Sequence, residues 1–336
     1  MRKSSIYEVA ALAGVSIATV SRTMNQPHRV SEGTRSRVMD AVHKLEYTPD
    51  FEAAARARHQ NDRIAVLAPL NTYPGFIQRL RGISLALEES HDELIIFQID
   101  PQKLSNPQNV KLIDSLASSG RYDGLIIMSI GISDQELTRI SETHFPTVLI
   151  ETSDSRFPEF GVDNHEGARL AVCHLIEKKY KNIGFIGFNP IQSYSINASK
   201  VREQGYIDTL LQNGRTVNPE HLLTCEYSIE DTFQAVTAML KKKNPPDALF
   251  CASDTNALGA LKAARELGLE IPKDLGVVGF DDIEVADYLG LTTIKQPLEG
   301  SGRAAVLLIN KLIKDPTSTR PIRTELPLEL ITRSSS

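Results

Sequence analysis

The sequence predicts a small all-α helix-turn-helix headpiece, followed by an α/β core of two doubly wound, Rossmann-like lobes. Three observations predict it. The first fifty residues carry helix caps and apolar positions at helical spacing, with a glycine between the first two helices. Short apolar runs then alternate with amphipathic stretches, and the series occurs twice. The 336 residues also exceed one ordinary domain, the prior being roughly 150 residues each.

Ser5-Ile6-Tyr7-Glu8 has the form of a capping box, with Ser5 at N-cap and Glu8 at N3. Ile6, Val9, Ala10 and Ala13 then recur at helical spacing. Gly14 suits a left-handed turn. Ser16 can cap a second helix, Ile17 to about Asn25, with Val20 facing inward. Ser31 can cap a third, whose apolar face is Val38, Val42 and Leu45 and which Tyr47-Thr48-Pro49 ends. Two helices joined by a short glycine turn, then a third, is the arithmetic of a helix-turn-helix. Ser16, Ala18, Thr19 and Ser21 are small enough for groove entry, and Arg22 is long enough to reach a guanine edge or a phosphate. A three-helix interaction module without DNA fits the same pattern.

Charge separates the two parts. Ten Lys/Arg against seven Asp/Glu give residues 1–63 a net +3 and leave −8 for the rest. A basic head on an acidic body suits a polyanion at one end. No run of about 18 apolar residues exists, so no membrane span is expected. Glu8 interrupts the apolar positions of the N-terminus, so no export signal is assigned and a cytoplasmic protein is expected. Cys173, Cys225 and Cys251 are far apart and read as reduced, buried thiols. No His/Cys/carboxylate cluster has metal-ligand spacing, and no metal or cofactor is expected. Phosphate-loop, dinucleotide and nucleophile-elbow motifs are missing, so no catalytic residue is assigned. Asp281 and Asp282 are adjacent, and neighbours on one chain rarely present both groups to one substrate.

In the core, RIAVLAP, ELIIFQI, DGLIIMS and TVLIE read as buried parallel strands, with helices near 76–90, 107–119 and 134–143. NIGFIGF, LLTCEY, DALFCAS and LGVVGF form the second series, with helices near 165–179, 198–213, 229–241 and 254–267. Ligands of such sheets bind outside the carboxyl ends of strands, and two facing lobes place those ends across a cleft. The candidates past strand ends are Tyr73, Phe76, Asp100, Glu151, Ser253, Asp254, Asp281 and Asp282, with Arg202 at the start of a bordering helix. Carboxylates and a guanidinium hold vicinal hydroxyls, and aromatic faces pack on a sugar ring. Ser253 or Asp254 could instead cap the helix that follows, and Tyr73 could be plain packing. The tail offers a strand and a Pro-started helix with Ala305, Leu308, Ile309 and Leu312 on one face, expected to pack into the N-terminal lobe. Expected boundaries are 1–49 for the head, 50–62 for a hinge, 63–161 plus 292–321 for the N-terminal lobe, and 162–291 plus 322–336 for the C-terminal lobe.

The run IYEVAALAGVSIATVSRTMNQPHRVSEGTRSRVMDAVHKLEYTP closely resembles the headpiece of the LacI/GalR family of bacterial repressors. GVDNHEGARLAVCHLIEKKYKNIGFIG, REQGY at 202–206, FCASDTNALGAL, VVGFDD and LTTIKQP match the family's core, so the resemblance covers nearly the whole chain. It implies a core like a periplasmic sugar-binding protein and a helix 17–25 lying in the major groove. It implies Ile17 and Ala18 at base edges, with Ser21 and Arg22 nearby. Ser16, Thr19, Asn25, Arg29 and Thr34 would hold phosphates, which position the head without reading sequence. Val9 and Val20 would be headpiece core. It further implies a homodimer on a roughly two-fold operator, with dimer stripes near 76–90 and 107–119. An effector carboxylate at Asp281 and a ligand role for Arg202 follow from it too, with a sugar-like small molecule favoured. A heptad tetramer tail is not found before Ser336. A bilobal sugar-binding protein without DNA function is the alternative.

The chain departs from the family pattern in two places. Residues 50–62 match a hinge helix that orders in the minor groove, where the family inserts a Leu wedge. The wedge position here is Arg56, Ala54 replaces the preceding Arg, and no Leu, Ile or Met lies between Thr48 and Arg63. Ala53 and Arg56 are the hinge candidates, with Arg56 expected to read a narrow groove electrostatically rather than kink it; a hinge that is simply shifted or disordered is the alternative. Ser253 stands where the family commonly has Asn before Asp, which removes an amide donor and acceptor.

Overall fold

A computed structural model of the chain describes residues 5–25, 27–47, 62–69, 74–90, 92–99, 107–189, 198–315 and 321–336. Its contacts divide it into two units, Met1–Asn61 and Asp62–Ser336.

Among its described residues the first unit holds three α-helices: α1 (Ile6–Ala13), α2 (Ile17–Asn25) and α3 (Glu32–Lys44). The capping box forms as the sequence predicts. Glu8 N donates to Ser5 Oγ at 3.4 Å, and Ser5 N donates back to Glu8 Oε2 at 2.7 Å. Gly14 ends α1 at φ 64°, a conformation in which a side chain would be strained. Ser16 caps α2 by accepting from Thr19 N at 3.2 Å. Ser31 departs from expectation: it sits at the N-cap of α3 but accepts no backbone N–H, and its hydroxyl donates to Thr34 Oγ1 at 3.0 Å. Val9, Ala10, Ala13, Val20, Val38, Ala41 and Val42 make one small core.

The second unit has two six-stranded sheets. The first contains β1 (Arg63–Pro69), β2 (Glu93–Ile99), β3 (Gly124–Met128), β4 (Thr147–Ile150), β5 (Glu159–Gly161) and β11 (Arg323–Glu325), in the order β11-β5-β4-β3-β1-β2, all parallel. The second contains β6 (Ile183–Phe188), β7 (Leu222–Cys225), β8 (Ala248–Cys251), β9 (Gly276–Asp281), β10 (Thr292–Lys295) and β12 (Glu329–Ile331), in the order β12-β10-β9-β8-β6-β7. Only β12 runs antiparallel within it.

Helices cover both faces of each sheet. In the first lobe α4 (Pro74–Ser90) and α12 (Leu298–Lys314) pack with Ile64, Val66, Ile126 and Val148. On the opposite face α5 (Pro107–Ser118) and α6 (Asp134–Glu142) pack with Ala65, Leu67, Leu125 and Ile127. The alternation along β1 is the two-residue strand period, and both faces are apolar because both are covered. The second lobe repeats the plan. There α7 (Asn164–Glu177) and α8 (Ala198–Gln212) lie on one face, with α9 (Ile229–Leu240) and α10 (Asp254–Glu266) on the other. A short α11 (Glu284–Tyr288) follows β9. The seven core helices read from the sequence lie within two residues of their expected ends.

The lobe boundaries differ from the sequence expectation at two crossings. Thr292–Lys295 was expected to open an N-terminal-lobe segment, yet it pairs with Val278–Asp281 in the second sheet. Thr292, Thr293 and Ile294 are buried there, so the crossing falls after Lys295. Arg323–Glu325 was expected in the C-terminal lobe, yet it pairs with Glu159–Gly161 in the first sheet. All three of its residues are exposed, so no apolar pattern marks it as a strand. The tail helix α12 packs into the N-terminal lobe as expected. It approaches α4 closely: a Cβ at Gly82 would lie 2.0 Å from Glu299 O, and one at Gly302 would lie 2.2 Å from Arg79 O. Only glycine allows the two backbones this distance, which fixes the depth of α4 on the lobe.

Candidate DNA-reading helix and effector cleft

Helix α2 presents two distinct faces. Val20 and Thr23 are buried, and Thr23 Oγ1 donates to Thr19 O at 2.8 Å. Ile17, Ala18, Ser21 and Arg22 are exposed together, four positions on one helix face. An exposed Ile beside Ala and Ser is costly in water but suits a thymine methyl in a groove. Ser16 Oγ and Thr19 Oγ1 lie 3.0 Å apart at the helix start. Arg29 is exposed on a short 3-10 turn, and Thr34 lies in the first turn of α3. Asn25 ends α2. Ala53 and Arg56 lie outside the described residues, and so do Tyr73 and Asp100.

In the core, the strand ends meet at a band of polar side chains. Both sheets have the 2-1-3-4-5 order of doubly wound folds, whose strand order reverses beside β1 in one sheet and β6 in the other. Several strand ends turn out through strained backbone. Ser129 follows β3 at φ 55°, Glu151 follows β4 at φ 49°, and Asp281 and Asp282 end β9 at φ 123° and 57°. Such conformations cost about 1–3 kcal/mol each and concentrate at binding sites.

Arg202 and Asp281 form the centre of the band. Arg202 lies on α8 and is buried. Its Nε donates to Asn164 Oδ1 at 2.8 Å, and Nη1 donates to the Ala252 carbonyl and lies 3.8 Å from Asp281 Oδ1. The guanidinium carbon stacks 3.5 Å over the Phe280 ring. Burial pulls the Arg202 pKa down, while Asp281 and Glu151 pull it up. An arginine starts so high that the group stays protonated. Asp281 accepts from Gln296 Nε2 at 2.5 Å. Burial raises its pKa, against the opposing pull of Arg202, Gln296 and Arg79. Tyr227 shares hydrogen bonds with Thr255 and Ser253, and burial pushes its hydroxyl pKa up. Its ring meets Phe188 edge-on at 4.9 Å.

The band joins the two lobes. Arg79 of α4 donates from Nη2 to Gln296 Oε1 at 3.2 Å and faces Glu151 Oε1 at 3.4 Å. Gln296 thus links an N-terminal-lobe guanidinium to a C-terminal-lobe carboxylate, at the point where the chain itself crosses.

The other expected residues divide. Ser253 caps α10, accepting from Asn256 N at 3.1 Å. Asp254 does not line the cleft. It is 0% exposed, with Oδ2 accepting from Ile283 N at 2.9 Å and Oδ1 from Thr293 Oγ1 at 2.6 Å. It braces the turn after β9 from behind, and burial with Asp281 nearby raises its pKa to about 7. Phe76 is half-buried against the first-lobe core. Asp282 is held by Arg333 Nη1 at 2.9 Å, away from the band. Arg79, Asn164, Tyr227, Phe188 and Gln296 are not among the residues the sequence suggested. Phe188, Tyr227 and Gln296 each sit at or just past a strand end, so the same rule could have found them. Arg79 sits within a helix and carries no such signal.

Among the described residues no helix is long and apolar enough to cross a membrane, and no three His, Cys, Asp or Glu gather as a metal site. Residues 5–50 match the model for bacterial regulatory proteins of the lacI family, and residues 172–336 match a periplasmic binding protein-like domain. The HTH-type transcriptional regulator RegA of Clostridium saccharobutylicum is 31% identical over 337 residues, 99% of each chain. The lac repressor bound to ONPG in its repressed state superposes with a TM-score of 0.83 at 27% identity over all of both chains. A complex of the transcriptional regulator CelR with cellobiose gives 0.70 at 27% identity, over 99% of this chain and 100% of that one. The chain therefore belongs to the lacI family of bacterial regulatory proteins and is a DNA-binding transcription regulator, not an enzyme, with a helix-turn-helix head and an effector-binding core.

Proposed function

We propose that this regulator is a cytoplasmic, homodimeric repressor whose two heads grip a two-fold operator and whose core takes a polyhydroxylated effector between its lobes. The observation that carries the effector class is the buried band of Arg202, Asp281, Asn164 and Gln296 at the strand ends. Paired donors and acceptors with an aromatic wall suit vicinal hydroxyls and a sugar ring. The CelR complex with cellobiose supports a sugar-like ligand in this fold. Arg202, Asp281, Ser253, Glu151 and Phe76 line the effector side, with Tyr73 and Asp100 completing it. Asp254 acts by holding the turn that carries Asp281.

On the DNA side, Ile17, Ala18, Ser21 and Arg22 read base edges. Ser16, Thr19, Asn25, Arg29 and Thr34 hold phosphates, and Ala53 and Arg56 enter the minor groove. The second copy covers exposed apolar side chains: Ile77 and Leu85 on α4, and Val285, Tyr288 and Leu289 around α11, of which Tyr288 is 85% exposed. The effector shifts operator affinity only by its differential binding to the two lobe arrangements. A 100-fold change in affinity takes about 2.7 kcal/mol of coupling.

The test pairs two assays. A gel shift on operator fragments at two salt concentrations should show steeply salt-dependent binding, which Arg22→Ala reduces by about tenfold or more at specific sites. A thermal-shift screen of sugars should find a stabilising ligand that Asp281→Ala no longer senses. A protein that binds no duplex under any condition would overturn the regulatory half and leave a bilobal binder.

A further inference from the structure

Arg79 is buried to nine-tenths in the cleft, and its hydrogen bonding is incomplete. Its Nη2 makes the two long contacts to Gln296 and Glu151, at 3.2 and 3.4 Å. Its Nε is buried with no hydrogen-bond partner among the described residues. A buried donor left without an acceptor loses the hydrogen bond it made with water and gains none in its place. The side chain cannot relieve this by withdrawing its helix, because Gly302 holds the Arg79 carbonyl against α12. Arg202 presents the opposite case: Nε, Nη1 and the guanidinium face all have partners. Of the two arginines buried among the described residues, only Arg79 has a buried nitrogen without an acceptor.

The open donor is Nε, and it shares one edge of the guanidinium fork with Nη2, which is held only by its long contacts to Gln296 and Glu151. Two parallel N–H groups on such an edge match the two oxygens of a carboxylate, which would replace those long contacts. We propose that Arg79 is the specificity residue for an acidic effector, a hydroxylated carboxylic acid whose carboxylate docks on the Nε/Nη2 edge while Asp281 and Arg202 hold its hydroxyls. The assignment rests on the polyhydroxylated-effector proposal and narrows it to sugar acids. The band holds two guanidinium groups, Arg79 and Arg202, against Glu151 and Asp281. A singly charged carboxylate meets less repulsion from the two acids than a doubly charged group does. A doubly charged phosphate would instead be pressed against Glu151 and Asp281.

Isothermal titration of the full chain decides it, using sodium D-galacturonate, D-glucuronate and D-gluconate beside D-galactose, D-glucose and D-glucose 6-phosphate. At least one acid should bind at least about 30-fold tighter than its neutral counterpart, and Arg79→Leu should erase the difference, as loss of a charge-assisted bidentate pair requires. Arg79→Lys keeps the charge but loses the fork, so it should weaken the acid by about tenfold. Thermal melts check both variants, and the Lys variant decides the case if the Leu variant does not fold. A neutral sugar that binds as well as its acid overturns the role of Arg79 and leaves the hydroxylated effector standing. So does acid binding that survives both substitutions unchanged. Binding of the phosphate alone overturns the carboxylate, as does silence of all three acids. If adenosine, titrated in parallel, is the one compound that binds, both the acid and the sugar-like effector are overturned.

Discussion

Along α2 the functional side chains stand outside a buried row: Ile17, Ala18, Ser21 and Arg22 face solvent while Val20 and Thr23 are enclosed. In the cleft the order is reversed, and Arg202, Asp281 and Arg79 are themselves buried. The head can therefore change its reading residues without touching its core. The cleft cannot, because there the residues that would meet ligand also satisfy one another. Arg202 alone serves Asn164, the Ala252 carbonyl and Asp281.

Substitution at the two arginines should break or sharpen this contrast most strongly. Arg202→Ala leaves the Asn164 and Ala252 oxygens without their donor and the buried Asp281 without the guanidinium that faces it. Removing one partner of such a buried charged group costs about 3–5 kcal/mol. Arg22→Ala removes an exposed side chain and should stay within about 0.5 kcal/mol of the parent in stability. Urea denaturation of the full chain measures both, with the Arg22 variant losing operator specificity and keeping its fold. Equal losses at the two positions would mean that the head and the cleft are not built by opposite rules.

The same contrast explains what could be read from the sequence. The head is local: capping box, glycine turn and apolar spacing all act within a few residues, and all three helices appear where those signals put them. The alternating apolar runs of the core gave both sheets, since buried parallel strands need little more than continuity. Asp281, Glu151 and Ser253 were legible because strand ends are marked by the runs they follow. Arg79 was not, since its partners Glu151 and Gln296 are 72 and 217 residues away and nothing around it differs from an amphipathic helix. The direction in which Asp254 turns is not legible for a related reason. A carboxylate at a helix start looks the same in sequence whether it turns toward the cleft or back toward Ile283 and Thr293.

Asp254 supplies the next test, of intermediate size. Its pKa is raised to about 7 in the fold, against an ordinary value of 3.8. The folded chain thus holds a proton there that the unfolded chain has released between those values. The group's contribution to stability is complete below about pH 4 and falls as pH rises through 7. Asp254→Asn removes the titration while keeping an oxygen for the Ile283 N–H and an N–H for Thr293 Oγ1. Melting temperatures of the two proteins should therefore diverge by a few degrees in favour of the variant between pH 5 and pH 8. A constant difference across that range would mean that Asp254 is ionised throughout, and that the buried order of the cleft extends less deeply than its geometry suggests.

The smallest effect belongs to the head, where structure is local and each contact is worth little. Ser5→Ala removes one half of the capping box and leaves Glu8 N without its side-chain acceptor. An N-cap loss of this kind costs about 1 kcal/mol. In the full chain it should appear as roughly fivefold faster amide exchange in α1, if those amides exchange through local opening of the head. The amides of β6 and β9 should be unaffected, because the head and the core are separate contact units. Faster exchange in both places would join the two regions into one cooperative structure, and the independence of reading helix and cleft would be lost with it.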